Sequence, residues 1–283
     1  MKPIQFFLLI TAFSFFVQPA ISQEKNLPKG NLFIIGGGNR SDALMLDLLK
    51  TAQLSDKDYI VVLPMSGAEP DTSFFYFKKQ VETLCRNTIA NLNFTKANST
   101  NKLWLDSLKK AKLIFITGGD QSRFMSVVLN TPIYTAIHNA YRQGATIAGT
   151  SAGAAVMSKY MITGNQLIGD TTYQSTFDQL RKDNIEFSQG LGLLDSIIID
   201  QHFIVRSRYN RLLSALYAFP AFTCIGIDES TAIVFHQYKI TIAGIGQVIV
   251  FSNMENKTAV NGLIKFSDIH LRVFTEGDSF KIK

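Results

Sequence analysis

The sequence predicts an α/β fold: a mostly parallel central sheet with helices on both faces, plus a C-terminal set of short antiparallel strands. Segments that are apolar throughout alternate with segments of helical length, which is typical of parallel strands buried between two layers of helices. The 283 residues are 46% hydrophobic and 18% charged, so the chain can bury a large core and is not disordered. The net charge is +6, but Lys and Arg are spread along the chain, so no nucleic-acid partner is expected.

The strands of the parallel sheet are predicted where short, wholly apolar runs occur, and the helices where apolar residues recur at helical spacing. The predicted strands cover residues 31–35, 59–63, 113–117, 145–148, 196–200 and 224–228. The predicted helices cover residues 41–50, 72–84, 102–110, 132–142 and 207–218. Ser41 is a favourable N-cap for the first helix. Residues 159–189 lack clear periodicity and indicate a functional excursion rather than core.

The C-terminal part of the chain has a different pattern. Short strands are predicted at residues 231–235, 239–242, 247–251, 262–266 and 269–274. In the last of them apolar and polar residues alternate from Ile269 to Val273, which is the period of a half-exposed antiparallel strand. No linker divides the chain, so we expect one domain over residues 23–283 whose β-rich extension spans about 231–283.

Residues 1–22 have the pattern of a secretory signal peptide. Lys2 precedes an apolar run from Phe6 to Val17, which ends near the small-residue pattern Ala20-Ile21-Ser22. The run is too short to cross a bilayer comfortably, so we expect cleavage after Ser22 and no membrane span in the mature chain. The mature protein is then secreted or periplasmic.

An oxidising compartment would permit a disulfide between the two cysteines. Cys224 lies in an apolar run that is predicted to be a buried strand, and Cys85 is the only other cysteine. Because buried cysteines commonly serve as small apolar side chains, we expect both thiols to be free.

The strongest local motif is Gly149-Thr150-Ser151-Ala152-Gly153, which lies between a predicted strand and a helical start that runs to Met157. This is the G-x-S-x-G pattern, in the strand-turn-helix context that projects a serine hydroxyl above a sheet. The glycines relieve crowding in the sharp turn, and the helix N-terminus favours developing negative charge. Ser151 is therefore the candidate nucleophile; the plainer interpretation is a tight turn with serine as a helix cap.

A serine hydroxyl needs a base to take its proton, and His202 is the candidate. It closes the predicted strand 196–200, and the carboxyl ends of parallel strands face one crevice. His138 lies in an amphipathic helix and His270 on the polar face of a late strand, so we expect both to be ordinary surface residues. No third histidine, cysteine or carboxylate cluster accompanies Asp200 and His202, so a catalytic metal is not expected.

Glu229 follows a predicted strand and is the candidate carboxylate that would orient the imidazole of His202. Its neighbour Asp228 would point differently. An oxyanion at an attacked carbonyl needs fixed donors, and we expect these to be the backbone amides of Ala152 and Gly119. The plainer interpretation is that the glycine pairs are only turns between strands and helices.

Three arginines, Arg206, Arg208 and Arg211, follow His202 and enter a predicted helix. Guanidinium groups so close together repel one another unless anions compensate them, and their planar forks suit carboxylates. A solvated helix face is the plainer interpretation. Beside a candidate catalytic histidine, the run indicates recognition of a peptide carboxylate or of an acidic partner inside the protein.

Several motifs recur here in an order that one family shares. They are Gly36-Gly37-Gly38, Thr117-Gly118-Gly119-Asp120-Gln121, Gly149-Thr150-Ser151-Ala152-Gly153-Ala154, Asp200-Gln201-His202-Phe203 with Arg206, Arg208 and Arg211-Leu212, and Gly226-Ile227-Asp228-Glu229-Ser230-Thr231-Ala232. In these motifs, which span about residues 31–234, the chain resembles the cyanophycinases, relatives of the serine aspartyl dipeptidases within the class I glutamine amidotransferase-like folds. The block from His202 to Arg211 is the most specific part.

The resemblance implies Ser151 as nucleophile, His202 as general base and acid, and Glu229 as the orienting carboxylate. It also implies a substrate pocket whose residues are Gln121, Asp200, Gln201, Arg206, Arg208 and Arg211, with Asp120 as a neighbour. Members of the family hydrolyse cyanophycin, a polyaspartate that carries arginine on each β-carboxyl, to β-aspartyl-arginine dipeptides. They need no cofactor and tend to form dimers. The order Ser, His, Glu differs from the order in α/β-hydrolases.

We therefore expect an exported serine exopeptidase that releases β-aspartyl-arginine dipeptides from cyanophycin through an acyl-enzyme, with no metal or other cofactor, as a homodimer. Two alternatives remain open. One is an aspartyl or isoaspartyl dipeptidase that acts on short peptides, and the other is a non-catalytic protein that binds an acidic polymer or partner. The signal segment and the long C-terminal tail depart from the cytoplasmic storage enzymes of the family.

Overall fold

The computed structural model describes residues 27–169, 171 and 173–282. The candidate signal peptide therefore lies outside the described residues. Among the helices that are described, none has both the length and the apolar character needed to cross a membrane.

The described chain contains seven helices and sixteen strands, which we number in chain order. The helices are α1 (Asp42–Ala52), α2 (Pro70–Val81), α3 (Lys102–Lys110), α4 (Gln121–Val128), α5 (Pro132–Gln143), α6 (Ala152–Ala155) and α7 (Tyr209–Ala218). The first eight strands are β1 (Leu32–Ile35), β2 (Tyr59–Leu63), β3 (Thr88–Asn91), β4 (Leu113–Ile116), β5 (Thr146–Thr150), β6 (Tyr160–Gln166), β7 (Ile185–Gln189) and β8 (Ile197–Gln201). The last eight are β9 (Thr223–Ile227), β10 (Thr231–His236), β11 (Lys239–Gly244), β12 (Val248–Glu255), β13 (Thr258–Val260), β14 (Leu263–Lys265), β15 (Asp268–Phe274) and β16 (Ser279–Lys281).

The central sheet has eight strands in the order β16, β11, β10, β1, β5, β4, β2, β3. The strands from β1 to β3 in this order are parallel, whereas β10, β11 and β16 pair antiparallel. Strands β1 and β4 are buried along their whole length, as wholly apolar parallel strands should be. The prediction of a mostly parallel central sheet is confirmed.

Helices cover both faces of the central sheet. Successive side chains of a strand point to opposite faces, so Leu32 and Ile34 of β1 pack with α3 to α6 while Phe33 and Ile35 pack with α1 and α2. Helix α1 begins after Ser41, whose hydroxyl accepts a hydrogen bond from the Leu44 N–H at 3.2 Å. The two-sided helical cover that the apolar strands predict is therefore present.

A second sheet of four strands, in the order β15, β12, β9, β8, is separate from the central one in its pairing. Strands β8 and β9 are parallel to each other, and β12 and β15 add antiparallel. The sequence predicted β8 and β9 among the strands of the parallel sheet, so their place in a separate sheet differs from that prediction. The physical reason is that β10 occupies the free edge of β1, which closes the central sheet to them.

The C-terminal strands complete both sheets. Strands β10, β11 and β16 extend the central sheet, and β12 and β15 extend the second one, all in antiparallel pairing. Strands β13 and β14 pair antiparallel with each other. The antiparallel character is as predicted. The alternation from Ile269 to Val273 does not mark a buried face, however, because β15 is an edge strand on which Leu271 and Val273 are about half exposed.

Several elements of the described chain are absent from the prediction: β3, α4, β13, β16, and the hairpin of β6 and β7. Strand β3 is short and only partly buried, so it lacks the apolar run of its neighbours. Helix α4 begins after a favourable N-cap residue, Asp120, which could have indicated it from the sequence. The Asp120 carboxylate accepts hydrogen bonds from the N–H groups of Ser122 at 2.7 Å and Arg123 at 3.1 Å. The hairpin falls within residues 159–189, the stretch without periodicity.

The thiols of Cys85 and Cys224 are free, which confirms the prediction. Cys224 lies in β9 and is completely buried, whereas Cys85 is partly buried. Burial raises the pKa of the Cys224 thiol far above its usual value, so it stays protonated and acts as a small apolar side chain.

Candidate active site

Ser151 occupies a strained turn between β5 and α6. Its backbone has φ 52° and ψ −110°, a region that L-residues seldom adopt. A Cβ on Gly149 would collide with the carbonyl oxygen of Gly153, which explains why the turn needs small residues on both sides of the serine. The Ser151 N–H donates to the Ile35 carbonyl at 3.1 Å, which ties the turn to the end of β1.

His202 follows β8 and reaches the serine from the second sheet. Its backbone also has positive φ, 50°, and its N–H donates to the Gly36 carbonyl at 2.7 Å. The Nε2 atom of His202 lies 2.8 Å from the Oγ atom of Ser151. The hydroxyl is thus within proton-transfer distance of the imidazole.

Glu229 follows β9 and completes a hydrogen-bonded chain. Its Oε1 atom lies 2.6 Å from Nδ1 of His202. A carboxylate can only accept, so the Nδ1 atom carries the proton and Nε2 presents its lone pair to Ser151. Asp228 points elsewhere and accepts hydrogen bonds from the N–H groups of Ile204 and Val205, both at 3.1 Å.

The glycine loop after β1 is what allows the three groups to meet. Gly37 has φ 111°, and a Cβ there would overlap the imidazole ring of His202. Gly38 has φ 70°, and a Cβ there would lie 2.6 Å from the Cβ of Glu229. The Gly37 carbonyl also accepts a hydrogen bond from the Ser230 N–H at 2.9 Å. This loop is therefore more than a simple strand-to-helix turn.

The environment of His202 favours the neutral imidazole. Burial is the main cause that lowers the pKa of His202, and the positive charges of Arg206 and Arg208 lower it further. The hydrogen bond and negative charge of Glu229 oppose this shift without cancelling it. At neutral pH the ring is unprotonated and can accept a proton from Ser151.

The reaction of Ser151 with a neutral organophosphorus reagent such as diisopropyl fluorophosphate should report this pKa. Because the protonated ring cannot act as a base, the rate should fall only as the pH drops through the lowered value, below the usual 6.5. Rates of inactivation measured across pH give the midpoint. The variant Arg206→Gln removes a positive charge and should move the midpoint upward, and a midpoint above 6.5 in the parent protein would contradict the expectation.

The backbone beside Ser151 offers donors for a developing oxyanion. Ala152 is the first residue of α6, where N–H groups have no partner within the helix. A Cβ on Gly118 would lie 3.4 Å from the Cβ of Ser151, so the loop of Gly118 and Gly119 passes directly beside the serine. The amide after Gly119, that of Asp120, is held by the Ser66 carbonyl at 2.9 Å.

A cleft of about 490 Å³ opens beside Ser151 and collects most of the predicted substrate residues. Those that line it are Gln121, Gln201, Arg206, Arg208 and Arg211, with the predicted neighbour Asp120; Gly119 and His202 line it as well. Gln121 donates from Nε2 to the carbonyls of Ile162 at 3.1 Å and Thr163 at 2.8 Å, which fastens α4 to β6. These two hydrogen bonds hold the wall of the cleft in place.

Asp200 differs from the other predicted substrate residues because its side chain is completely buried and does not line the cleft. Arg211 donates to both of its oxygens, from Nε at 2.8 Å and from Nη2, and Arg208 approaches Oδ1 at 3.4 Å. The Nη1 atom of Arg208 also donates to the Gln201 carbonyl at 2.5 Å. Asp200 therefore positions two arginines from behind and does not face a ligand.

The charges of the cleft are only partly balanced. Arg206 forms no ion pair with any residue that the structure describes, while Arg208 and Arg211 share the single carboxylate of Asp200. Burial lowers the pKa of Arg208 to about 10, and Asp200 opposes that shift, so the guanidinium remains protonated at neutral pH. The arginines give the cleft a positive character that suits an anionic ligand.

Several lining residues were not predicted from the sequence. Thr163, Asn165 and Tyr173 come from residues 159–189 and form one wall, and the Tyr173 hydroxyl accepts a hydrogen bond from Arg208 at 3.1 Å. The missing periodicity of this stretch was the only signal for them. The prediction for His138 was wrong, because its ring is partly buried and lies 2.7 Å from the Leu191 carbonyl.

Comparison with known proteins places the chain among peptidases. A family model described as peptidase family S51 matches residues 32–243. The cyanophycinase of Nostoc sp. is 32% identical over 237 residues, which are 81% of this chain and 76% of that protein. The cyanophycinase of Geminocystis herdmanii is 33% identical over 191 residues, which are 65% of this chain and 67% of that protein.

A solved structure has a similar fold. The crystal structure of a peptidase from an acI-B1 actinobacterium superposes with a TM-score of 0.66 and covers 91% of this chain and 98% of its own, at 20% identity. That level of identity supports the architecture alone. Together with the family match over most of the chain, it leads to one conclusion: this chain belongs to peptidase family S51 and is a serine-type peptidase.

Proposed function

We propose that Ser151, His202 and Glu229 act as a catalytic triad. The observation that carries this proposal is the continuous chain of contacts, 2.8 Å from Ser151 to His202 and 2.6 Å from His202 to Glu229. His202 takes the hydroxyl proton as the Ser151 oxygen attacks a carbonyl carbon, and then gives that proton to the leaving amine. Water then hydrolyses the resulting acyl-enzyme, with His202 again taking and returning the proton.

We propose that the amides of Gly119 and Ala152 hold the oxyanion of the tetrahedral intermediate. Ala152 follows Ser151 in the chain, and Gly119 lines the cleft beside Ser151, so both donors are backbone N–H groups close to the attacked carbonyl. Such donors are fixed before the substrate arrives, so they cost no reorganisation during the reaction. The loss of one donor of this kind typically removes about 3 kcal/mol of transition-state stabilisation.

We propose cyanophycin as the substrate and β-aspartyl-arginine as the product. Each unit of this polymer carries a free arginine carboxylate. The cleft beside Ser151 presents Arg206, which has no ion pair among the residues that the structure describes, with the partly compensated Arg208 and Arg211. Guanidinium groups bind carboxylates through paired hydrogen bonds. The names of the two cyanophycinase relatives support this choice.

The cleft size supports release of one unit at a time. A volume of about 490 Å³ lies within the range of small-ligand sites and suits a dipeptide better than a long segment of polymer. The proposed enzyme is therefore an exopeptidase. Short aspartyl or isoaspartyl peptides are a second candidate substrate, because they contain the same kind of bond and carboxylate.

The test is an assay of residues 23–283 on insoluble cyanophycin, with the products followed over time by chromatography. The dipeptide should accumulate from the first time points, without intermediates of greater length. A parallel panel of α- and β-aspartyl dipeptides identifies the alternative. Hydrolysis of the panel with no release from the polymer would reject cyanophycin as the substrate and retain a peptidase of short peptides.

We also propose export and self-association. Export rests on the charge, apolar run and cleavage pattern of residues 1–22, and N-terminal sequencing of the protein recovered outside the cytoplasm should begin at Gln23. The homodimer rests on the family resemblance. Sedimentation of the mature chain measures its mass in solution.

A further inference from the structure

A second cleft, of about 300 Å³, opens beside Ser151 and is distinct from the arginine-lined cleft. Ser151 lines both clefts, and the loop of Gly118 and Gly119 runs between them, since Gly118 lines the second and Gly119 the first. A polymer cut at Ser151 must continue on both sides of the scissile bond. The second cleft is therefore available to the unit across that bond.

Arg40 is the charged group of this second cleft, and it has no partner among the described residues. Its Nε atom is buried and forms no hydrogen bond, and none of the ion pairs of the described residues includes it. The guanidinium lies over the ring of Phe115, 5.7 Å from its centroid. Burial lowers the pKa of Arg40, and no carboxylate offsets this effect. A partly buried cation without a counter-ion has an uncompensated desolvation penalty and lowers the stability of the fold. Such a charge is typical of a side chain that binds an anionic ligand.

The rest of the cleft has a matching chemistry. The hydroxyl oxygen of Thr117 is also buried, with no hydrogen-bond partner in the described part of the chain, and Thr117 lines the same cleft. No aspartate or glutamate is among the described residues that line it. A guanidinium and a hydroxyl that lack partners among the described residues and line the same cleft are donors of the kind that bind a carboxylate.

We propose that Arg40 is a specificity-determining residue that binds a substrate carboxylate in the second cleft. The inference rests on the proposed function and extends it: one unit of the substrate occupies the arginine-lined cleft, and the unit across the scissile bond places a free carboxylate on Arg40. The site therefore binds one anionic group on each side of the scissile bond. Neutral peptides are poor substrates for lack of the second anion.

The test is a cycle of protein and ligand changes. The ligand is a two-unit cyanophycin peptide, prepared as the parent and with each free carboxylate converted in turn to an amide. Affinities are measured by calorimetry in Ser151→Ala, so that turnover does not interfere, and compared with those in Ser151→Ala combined with Arg40→Gln. With Arg40 present, one of the amidated peptides should bind about 10- to 100-fold more weakly than the parent peptide. In the Arg40→Gln background, the same peptide should bind as well as the parent peptide.

Two further variants make the outcome specific. Arg206→Gln should abolish the loss of affinity that a different amidated peptide shows, and should leave the loss that depends on Arg40. Arg86 is on the exposed surface, so Arg86→Gln should change neither loss of affinity. The Arg40→Gln protein should melt close to its parent, because Arg40 has no ion-pair partner to lose within residues 27–169, 171 and 173–282. If it melts several degrees lower, Arg40→Lys, which retains the charge, replaces it and should keep part of the discrimination.

The inference is overturned if every amide weakens binding as much in the Arg40→Gln background as in its parent, or if Arg206→Gln alone removes all discrimination. It is also overturned if the parent peptide does not bind Ser151→Ala. None of these results decides the proposed function, which is judged separately by release of dipeptide from the polymer by the protein that retains Ser151.

Discussion

Ser151→Ala should lower the rate of dipeptide release from cyanophycin by on the order of a million-fold. The members of the proposed triad act as a unit, so loss of the Ser151 hydroxyl should remove the acyl-enzyme route and leave only binding and oxyanion stabilisation. The variant keeps a Cβ at a position with φ 52°, so the strained turn is unchanged and the fold should be retained. Product release by the purified variant, with its melting temperature, checks the expectation.

Two companion variants separate chemistry from structure. His202→Ala should lower the rate of dipeptide release about as much as Ser151→Ala does. The double variant should be no slower than either single variant, because the effects of residues that act as one unit are strongly non-additive. Glu229→Gln should cost less, about ten-thousand-fold, since it alters the tautomer that His202 presents. Undiminished activity in Ser151→Ala would reject the proposed mechanism.

Asp200→Asn should lower the free energy of unfolding by about 3–5 kcal/mol. The carboxylate is completely buried and holds the guanidinium groups of Arg208 and Arg211, which are themselves buried. Removal of the negative charge leaves two buried positive charges close together without a compensating anion. Chemical denaturation of the variant and the parent protein measures the difference.

The matched control is Asp120→Asn at the N-cap of α4. Asn caps a helix about as well as Asp, so this change of the same chemistry at an exposed position should cost less than about 0.5 kcal/mol. The double variant Asp200→Leu with Arg211→Met should lose less free energy of unfolding than the sum of the losses in the two single variants. The double change removes both members of an ion pair, so neither is left as an unpaired buried charge. Equal stability of Asp200→Asn and the parent would show that the arginines do not depend on Asp200.

The network around Asp200 links stability to recognition. Asp200 holds Arg208 and Arg211 in place from behind the cleft, while Arg206 lines the cleft without an ion pair among the described residues. A single carboxylate fixes the geometry of two guanidinium groups without neutralising the site. In the proposed function, this arrangement supplies fixed donors for a substrate carboxylate, and an internal ion pair holds them in place.

Much of the fold and part of the site can be predicted from local patterns. Wholly apolar runs indicate buried strands such as β1 and β4, and the turn around Ser151 needs glycines at defined spacing because a Cβ on Gly149 would collide with the chain. The placement of Glu229 rather than Asp228 against His202 follows from the direction in which β9 ends. These inferences depend on a few neighbouring residues.

Other features depend on pairing that no short segment encodes. The split of the strands into two sheets follows from β10, a strand far along the chain, taking the edge of β1. Asp200 lies behind the cleft because Arg208 and Arg211, further along the chain, fold back onto it. The hairpin of β6 and β7 carries Thr163 and Asn165 to the cleft wall although its sequence shows no clear period.

By itself, the sequence determined the α/β class, the turn around Ser151 and the candidates for nucleophile, base and acid, because backbone sterics and hydrophobic periodicity act over a few residues. Only the tertiary structure decided that Gly37 and Gly38 make room for His202 and Glu229. It also decided that Arg40, without an ion-pair partner in the part of the chain that the structure describes, lines a second cleft at Ser151, apart from the other arginines. The physical reason is that desolvation and charge pairing depend on which distant side chains share a space, and that is settled only when the whole chain has packed.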